Sequence, residues 1–200
     1  MFTGGGETCL KRYNILNLAN IIYNHFTNLN NSINILEFGV AHGDTSKMLI
    51  DEFENSTFFL FDTFNGLPSP TFEDEKSKNI IGNYKFTLQE VKSLIGDKNN
   101  VNYIQGLVQN TLLSNLPQKI HFVHLDLDLY EPTLYVLDNI INKMASPSII
   151  VIDDYGQKFN NGYIWKGIKK ACDEIEIKYK VKFNLLNKNT QLTQAILYIN

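Results

Sequence analysis

The 200-residue chain has only two cysteines, Cys9 and Cys172, which rules out a disulfide framework and leads us to expect a reduced cytoplasmic protein. No apolar run is long enough to span a bilayer. The opening "MFTGGGETCLKRYN" lacks the apolar stretch of a secretory signal. Basic residues are not in excess: the formal net charge is −3, which argues against nucleic acid or an anionic membrane as partner. No His/Cys cluster has zinc-site spacing. Internal repeats and low-complexity tails are also missing. What remains is 44% hydrophobic and 20% charged, the make-up of an ordinary globular protein, and the length suits one domain over residues 1–200.

Apolar runs alternate with stretches of helical period. Ile15, Leu18, Ile22 and Phe26 predict an amphipathic helix over roughly residues 7–28, inside an N-terminal helix or lid region spanning 1–32. Strands are expected at 33–40, 57–62, 101–106, 120–126 and 148–154, and helices at 44–54, 87–96 and 131–144. A last helix is expected over 163–179, with Trp165, Ile168, Cys172 and Ile175 on one face. Pro132 falls in the first turn of its helix, where its missing N–H costs nothing. Segment 63–86 holds glycine, two prolines and charges; it is too long for a simple connection and reads as an active-site loop. The alternation implies an α/β fold with a mainly parallel sheet covered on both faces. Two late strands, 181–186 and 193–199, lie too close for a crossover helix, so one should be antiparallel.

Ligands of such sheets sit at the carboxyl ends of the strands. Three constellations fall there. In "LEFGVAHGDTS", Glu37, Gly39 and Gly43 lead from a strand into a helix; the glycines permit close approach of a ligand. A carboxylate at 37 breaks the dinucleotide fingerprint and suits a ligand bearing an amino group. An ordinary capped turn is the competing reading. Asp62 ends the second strand about 20 residues after that turn, well placed for ribose hydroxyls, although a turn residue would look the same. Asp126 closes one strand and Asp153 with Asp154 closes the next. Three converging carboxylates call for a cation, and all-oxygen ligation favours Mg²⁺, Ca²⁺ or Mn²⁺. Neighbouring strand residues face opposite ways, so Asp153 and Asp154 can share an ion only if the chain turns there. Asp128 reads as the acid at the start of the following helix, and His124 as a hydrogen-bonded core residue. His42, in the glycine turn, is explained equally by ligand contact and by loop exposure.

Together, "LEFGVAHGDTS", "FDTFNGLPSP", "GNYKFTLQEVKSLI", "HLDLDLYEPTLYVL" and "IIVIDDYG" resemble the macrocin O-methyltransferase family over roughly residues 33–156. Members transfer a methyl group from S-adenosylmethionine (SAM) to sugar hydroxyls with Mg²⁺. The resemblance implies a Rossmann-like class I methyltransferase fold, seven-stranded with an antiparallel C-terminal hairpin. It implies Glu37, Gly39, Gly43 and Thr45 at the amino-acid end of SAM and Asp62 at its ribose. Gly106 and Gln109 fall near adenine. It implies Mg²⁺ on Asp126, Asp153 and Asp154, with Asp126 also the general base. Val108 and Asn110 depart from the aromatic and the acid common in the family at those positions, and only 32 residues precede the first strand.

The expected partner is a small-molecule or glycan acceptor, and a homo-oligomer is left open. A phenolic or catechol-type diol is an alternative acceptor. Rival readings are a phosphotransferase of the haloacid dehalogenase type, a metal-dependent glycosyltransferase and a SAM-binding protein without activity. The first needs "DLDLYEPT" after the first strand rather than the fourth, and the second leaves "LEFGVAHG" unexplained.

Overall fold

The computed structural model describes residues 6–74, 81–156, 158–159, 162–163, 166–186 and 193–200. The helices are α1 (Gly6–Thr27), α2 (Asp44–Glu52), α3 (Leu88–Ile95), α4 (Val108–Asn115), α5 (Tyr130–Ile140) and α6 (Lys166–Tyr179). Five strands pair in parallel: β1 (Ile33–Phe38), β2 (Ser56–Asp62), β3 (Val101–Gln105), β4 (Ile120–Leu125) and β5 (Met144–Asp153). A small ribbon follows, β6 (Lys158–Phe159) with β7 (Gly162–Tyr163). The chain then returns to the main sheet with β8 (Asn184–Leu185) and β9 (Gln194–Ile199). The order is β3-β2-β1-β4-β5-β9-β8, and β9 is antiparallel to both neighbours, as the short late connection requires.

The apolar runs have a simple cause. Parallel strands are covered on both faces, so their side chains are buried on either side. Phe58, Leu60 and Phe122 pack with Ile15, Ala19 and Leu49 of α1 and α2. Phe61, Val123 and Leu125 pack on the other face with Leu112, Val136 and Ile168 of α4, α5 and α6. In α1 the fully buried stripe is Ile15, Ala19 and Ile22, so Ala19 takes a place that Leu18 was expected to fill. Among the described residues no helix is long and apolar enough to cross a membrane.

Several boundaries differ from expectation. Helix α4 lacks a strong apolar period: its sequence VQNTLLSN buries only Val108 and Leu112. The last helix begins at Lys166, because Gly162 and Tyr163 belong to the ribbon; Trp165 lies outside the described residues. The strand expected at 181–186 shrinks to Asn184–Leu185. Strand β5 starts earlier, at Met144.

Two features position the site. Segment 63–86 folds back on itself, with Leu67 N donating to Asn83 O (3.0 Å) and Gly82 N to Leu67 O (2.9 Å); residues 75–80 lie outside the described residues. Its buried Asp74 accepts from Thr71 N (3.1 Å) and, across the chain, from Tyr130 N (2.9 Å) at the start of α5. The second feature is Gly39, which follows β1 with φ +85°. A Cβ there would stand 1.9 Å from the carbonyl oxygen of Asp126. Backbone meets backbone where β1 and β4 end, and only glycine fits. Gly39→Ala should therefore cost about 3 kcal/mol or more, or prevent folding, as read by chemical denaturation.

Candidate active site

The register of the sheet brings the expected residues to one edge. Phe38 is level with Leu125, and Leu125 with Ile152, so Asp126 and Asp153 leave β4 and β5 side by side. They border a cavity of about 570 Å³. Gly39, Thr45, Asp62, Gly106 and Gln109 border the same cavity.

Asp62 holds the glycine turn. Its Oδ2 accepts from Val40 N (2.7 Å) and Ala41 N (3.0 Å), and its Oδ1 from Phe64 N (2.7 Å). Thr63 Oγ1 is only loosely placed on Oδ1 (3.4 Å) and bonds better to Gly66 O (2.7 Å), which leaves that carboxylate oxygen accepting capacity. The Gln109 Oε1 is buried with no hydrogen-bond partner among the described residues. Such an orphaned acceptor is costly unless a donor reaches it.

Glu37 is fully buried and engaged on both oxygens. It accepts from Ser46 Oγ of α2, and His124 Nδ1 lies 3.0 Å from its Oε1. The pairing follows from register, since Glu37 and His124 are directly opposed on β1 and β4. Glu37, Gly43 and Thr45 border a smaller recess of about 230 Å³ beside the main cavity. The φ of Gly43, +96°, places it before α2 as a backbone cap with no side-chain bond. Asp44 instead faces Arg12 (3.2 Å) and His42 (3.2 Å).

The acid wall holds four carboxylates, because Asp128 belongs to it. Asp128 is not the acid at the start of α5. Its φ of +62° turns the chain there, and it is buried at the cavity rather than on the helix end. The amide of Tyr130 is satisfied by Asp74 instead. A second left-handed residue, Asp154 (φ +56°), provides the turn that lets it face the cavity together with Asp153. The ligand atoms fall into two overlapping groups, each within 4.8 Å: Asp126, Asp128 and Asp154, and His124, Asp126 and Asp153; the expected set Asp126, Asp153 and Asp154 is divided between them, because Asp154 turns toward Asp128 and Asp153 toward His124. Asp126 is common to both.

Charge balance explains the proton affinities. Burial, then the charges of Asp153 and Asp154, raise Asp126 to about 7 despite Lys11. Burial, then Asp126 and Asp154, push Asp128 well above the usual carboxylate range. Burial acts the same way on Asp153, but the His124 ring nitrogen 3.7 Å away and the Lys11 charge outweigh it and bring Asp153 to about 2. Burial disfavours the imidazolium of His124, yet the neighbouring carboxylates of Asp153 and Glu37 win and raise it to about 10, although only Glu37 is within hydrogen-bond reach. Lys11 of α1 reaches Asp154 Oδ1 at 2.6 Å and Asp153 Oδ2 at 3.5 Å. Gln194 of β9 donates to Asp153 Oδ1 (2.6 Å) and to the Lys11 carbonyl (3.3 Å). Lys11, Gln194 and the cavity-lining Tyr84 were not anticipated. The only available signal was that Lys11 and Gln194 each sit one turn or one residue from an apolar pattern that had another explanation.

This strand order, with a glycine turn after β1, an acid ending β2 and helices on both faces, is that of a class I methyltransferase. The macrocin O-methyltransferase (TylF) family model matches residues 12–187. The chain belongs to that family and is a SAM-dependent O-methyltransferase. Among solved structures, the O-methyltransferase NovP aligns with TM-score 0.71 and 20% identity, over 91% of this chain and 78% of NovP. The calicheamicin methyltransferase CalS11 aligns with TM-score 0.74 and 21% identity, over 96% of this chain and 80% of CalS11. No curated protein sequence matches.

The raised affinity of His124 has a consequence for stability. A group raised from 6.5 to about 10 on folding contributes stability that is complete below 6.5 and lost as pH rises through 10. Asp126, raised from 3.8 to about 7, has already lost its share by neutral pH. The melting temperature of metal-free protein should therefore fall from pH 7 to pH 10, and His124→Asn should flatten that decline; differential scanning calorimetry across the range checks both.

Proposed function

We propose that the protein methylates a hydroxyl of a sugar or glycoconjugate, as a small-molecule or glycan acceptor, with Mg²⁺ assistance. The observation that carries this reading is the acid wall facing the glycine turn and Asp62 across a single cavity of about 570 Å³. Of the aligned structures, CalS11 is described as a TDP-rhamnose 3'-O-methyltransferase, which supports a sugar acceptor.

Bound SAM supplies a methyl group on a positively charged sulfur. Gly39, Gly43 and Thr45 are assigned to its amino-acid end; Glu37 lies beneath them with both oxygens engaged by Ser46 and His124, so it supports the turn there. Asp62 is assigned to the ribose, where Oδ1 retains accepting capacity. Gly106 and Gln109 are assigned to the adenine; a buried Gln109 oxygen without a partner suits an exocyclic amine. Asp126, Asp128 and Asp154 form an all-carboxylate group, the donor set that hard divalent cations prefer, and Asp153 adjoins it through Asp126 in a group that also holds His124. Asp126, Asp153 and Asp154 are assigned to hold Mg²⁺, with Asp128 beside them, and the bound ion would acidify an acceptor hydroxyl.

The chain's own contribution is orientation, exclusion of water and proton transfer. Thr63, Gly66, Leu67 and Pro68, with Tyr84 on the returning arm, border the cavity, and Asp74 anchors this part of the chain to α5. Positioning of the acceptor oxygen supplies most of the acceleration. Its proton is assigned to Asp126, or to a neighbouring wall carboxylate, on the ground of position at the cavity.

Asp126→Asn should lower turnover by at least about 100-fold, measured with labelled SAM and sugar acceptors, while SAM affinity by calorimetry stays within a factor of a few. A chelator should stop wild-type turnover and added Mg²⁺ restore it. Turnover at the wild-type rate in Asp126→Asn would remove the assigned role. Methylation of catechols but of no sugar would shift the acceptor class.

A further inference from the structure

The acid wall already carries a cation, and it comes from the chain itself. The Lys11 ammonium lies 2.6 Å from Asp154 Oδ1 and 3.5 Å from Asp153 Oδ2, and its side chain is only 12% exposed. These are the carboxylates assigned above to Mg²⁺. Two cations placed between the same oxygens repel one another strongly in so dry a setting. We propose that Lys11 is a tethered counter-ion filling the cation position of the wall, and that a divalent metal enters by exchange with it. This rests on the metal reading of the preceding subsection.

The surroundings make the side chain the movable part. The backbone of α1 is fixed: the Lys11 carbonyl accepts from Gln194 Nε2 (3.3 Å), and Asn14 Nδ2 donates to Gln194 Oε1 (2.9 Å). Ile15, Ala19 and Ile22 are buried just beyond. The helix therefore stays while the four-carbon stem swings. Lys11 itself borders the main cavity, so the ammonium has space to withdraw into. A lysine suits such a role better than arginine, since its charge is compact and its stem flexible. The neighbouring Arg12 does not substitute for it, being held by Asp44 at 3.2 Å. His124, the other positive group at the wall, is fastened between Glu37 and Asp153.

An exchange of this kind has two effects. In metal-free protein it neutralises carboxylates that would otherwise repel one another. In metal-loaded protein it lowers the apparent affinity, because the ion must first displace a buried ion pair. Metal uptake then also frees an amine that is otherwise shielded.

Titration calorimetry with Mn²⁺ on wild type, Lys11→Met and Lys11→Arg tests the exchange. Lys11→Met should bind Mn²⁺ roughly tenfold or more tightly than wild type, and Lys11→Arg no more tightly than wild type. A second measurement uses the unaltered chain: acetic anhydride labelling read by peptide mass spectrometry should modify Lys11 slowly without metal and faster with saturating Mn²⁺. Should Lys11→Met fail to fold, this labelling decides. Equal Mn²⁺ affinities in wild type and Lys11→Met, or Lys11 labelling indifferent to bound Mn²⁺, overturn the exchange and leave the metal site standing. Absence of Mn²⁺ binding in all three proteins overturns both.

Discussion

Mutual repulsion among carboxylates at the ends of β4 and β5 governs the architecture of this edge of the sheet. Asp126, Asp128, Asp153 and Asp154 converge where the sheet delivers them, in surroundings too dry for water to screen them. The fold answers locally. His124 sits between Glu37 and Asp153, Lys11 comes from the N-terminal helix, and Gln194 lends Asp153 a neutral hydrogen bond. What those groups leave uncompensated appears as raised proton affinity on Asp126, Asp128 and Asp154.

The cofactor half and the acid half of the site are joined by backbone rather than by side chains. Gly39 abuts the carbonyl of Asp126, so the turn that closes over one ligand and the strand end that presents the wall cannot move independently. Asp62 fixes that same turn from β2 through two amides. The relative placement of the two reacting partners is thus set by the sheet register and needs no mobile element. Segment 63–86 adds cover, fastened by Asp74 to the start of α5.

Much of this was legible in the residues. Strands covered on both sides are mostly apolar, so polar residues at their ends stand out, and Asp62, Asp126 and Asp153 all lie at such ends; the buried pair Glu37 and His124 within β1 and β4 is the exception. The hidden parts were those that depend on backbone angles or on contacts distant in sequence. Nothing local distinguishes an Asp128 that starts a helix from one in a left-handed turn facing a cavity. The helix-start role belonged to Asp74, 56 positions before Tyr130. Lys11 lay on a helix whose apolar face had absorbed attention, and α4 escaped because Asn110, Thr111, Ser114 and Asn115 are poor helix formers.

Gln194 makes two distant parts of the chain answerable to one carboxylate. It lies 41 positions after Asp153, on β9, and it ties Asp153 to the backbone of α1. Asn14 of α1 donates to its Oε1 in turn. A side chain with no charge of its own thus couples the docking of α1 on the sheet to the setting of the acid wall. A change at that helix–sheet seam is felt by the carboxylates without touching any of them.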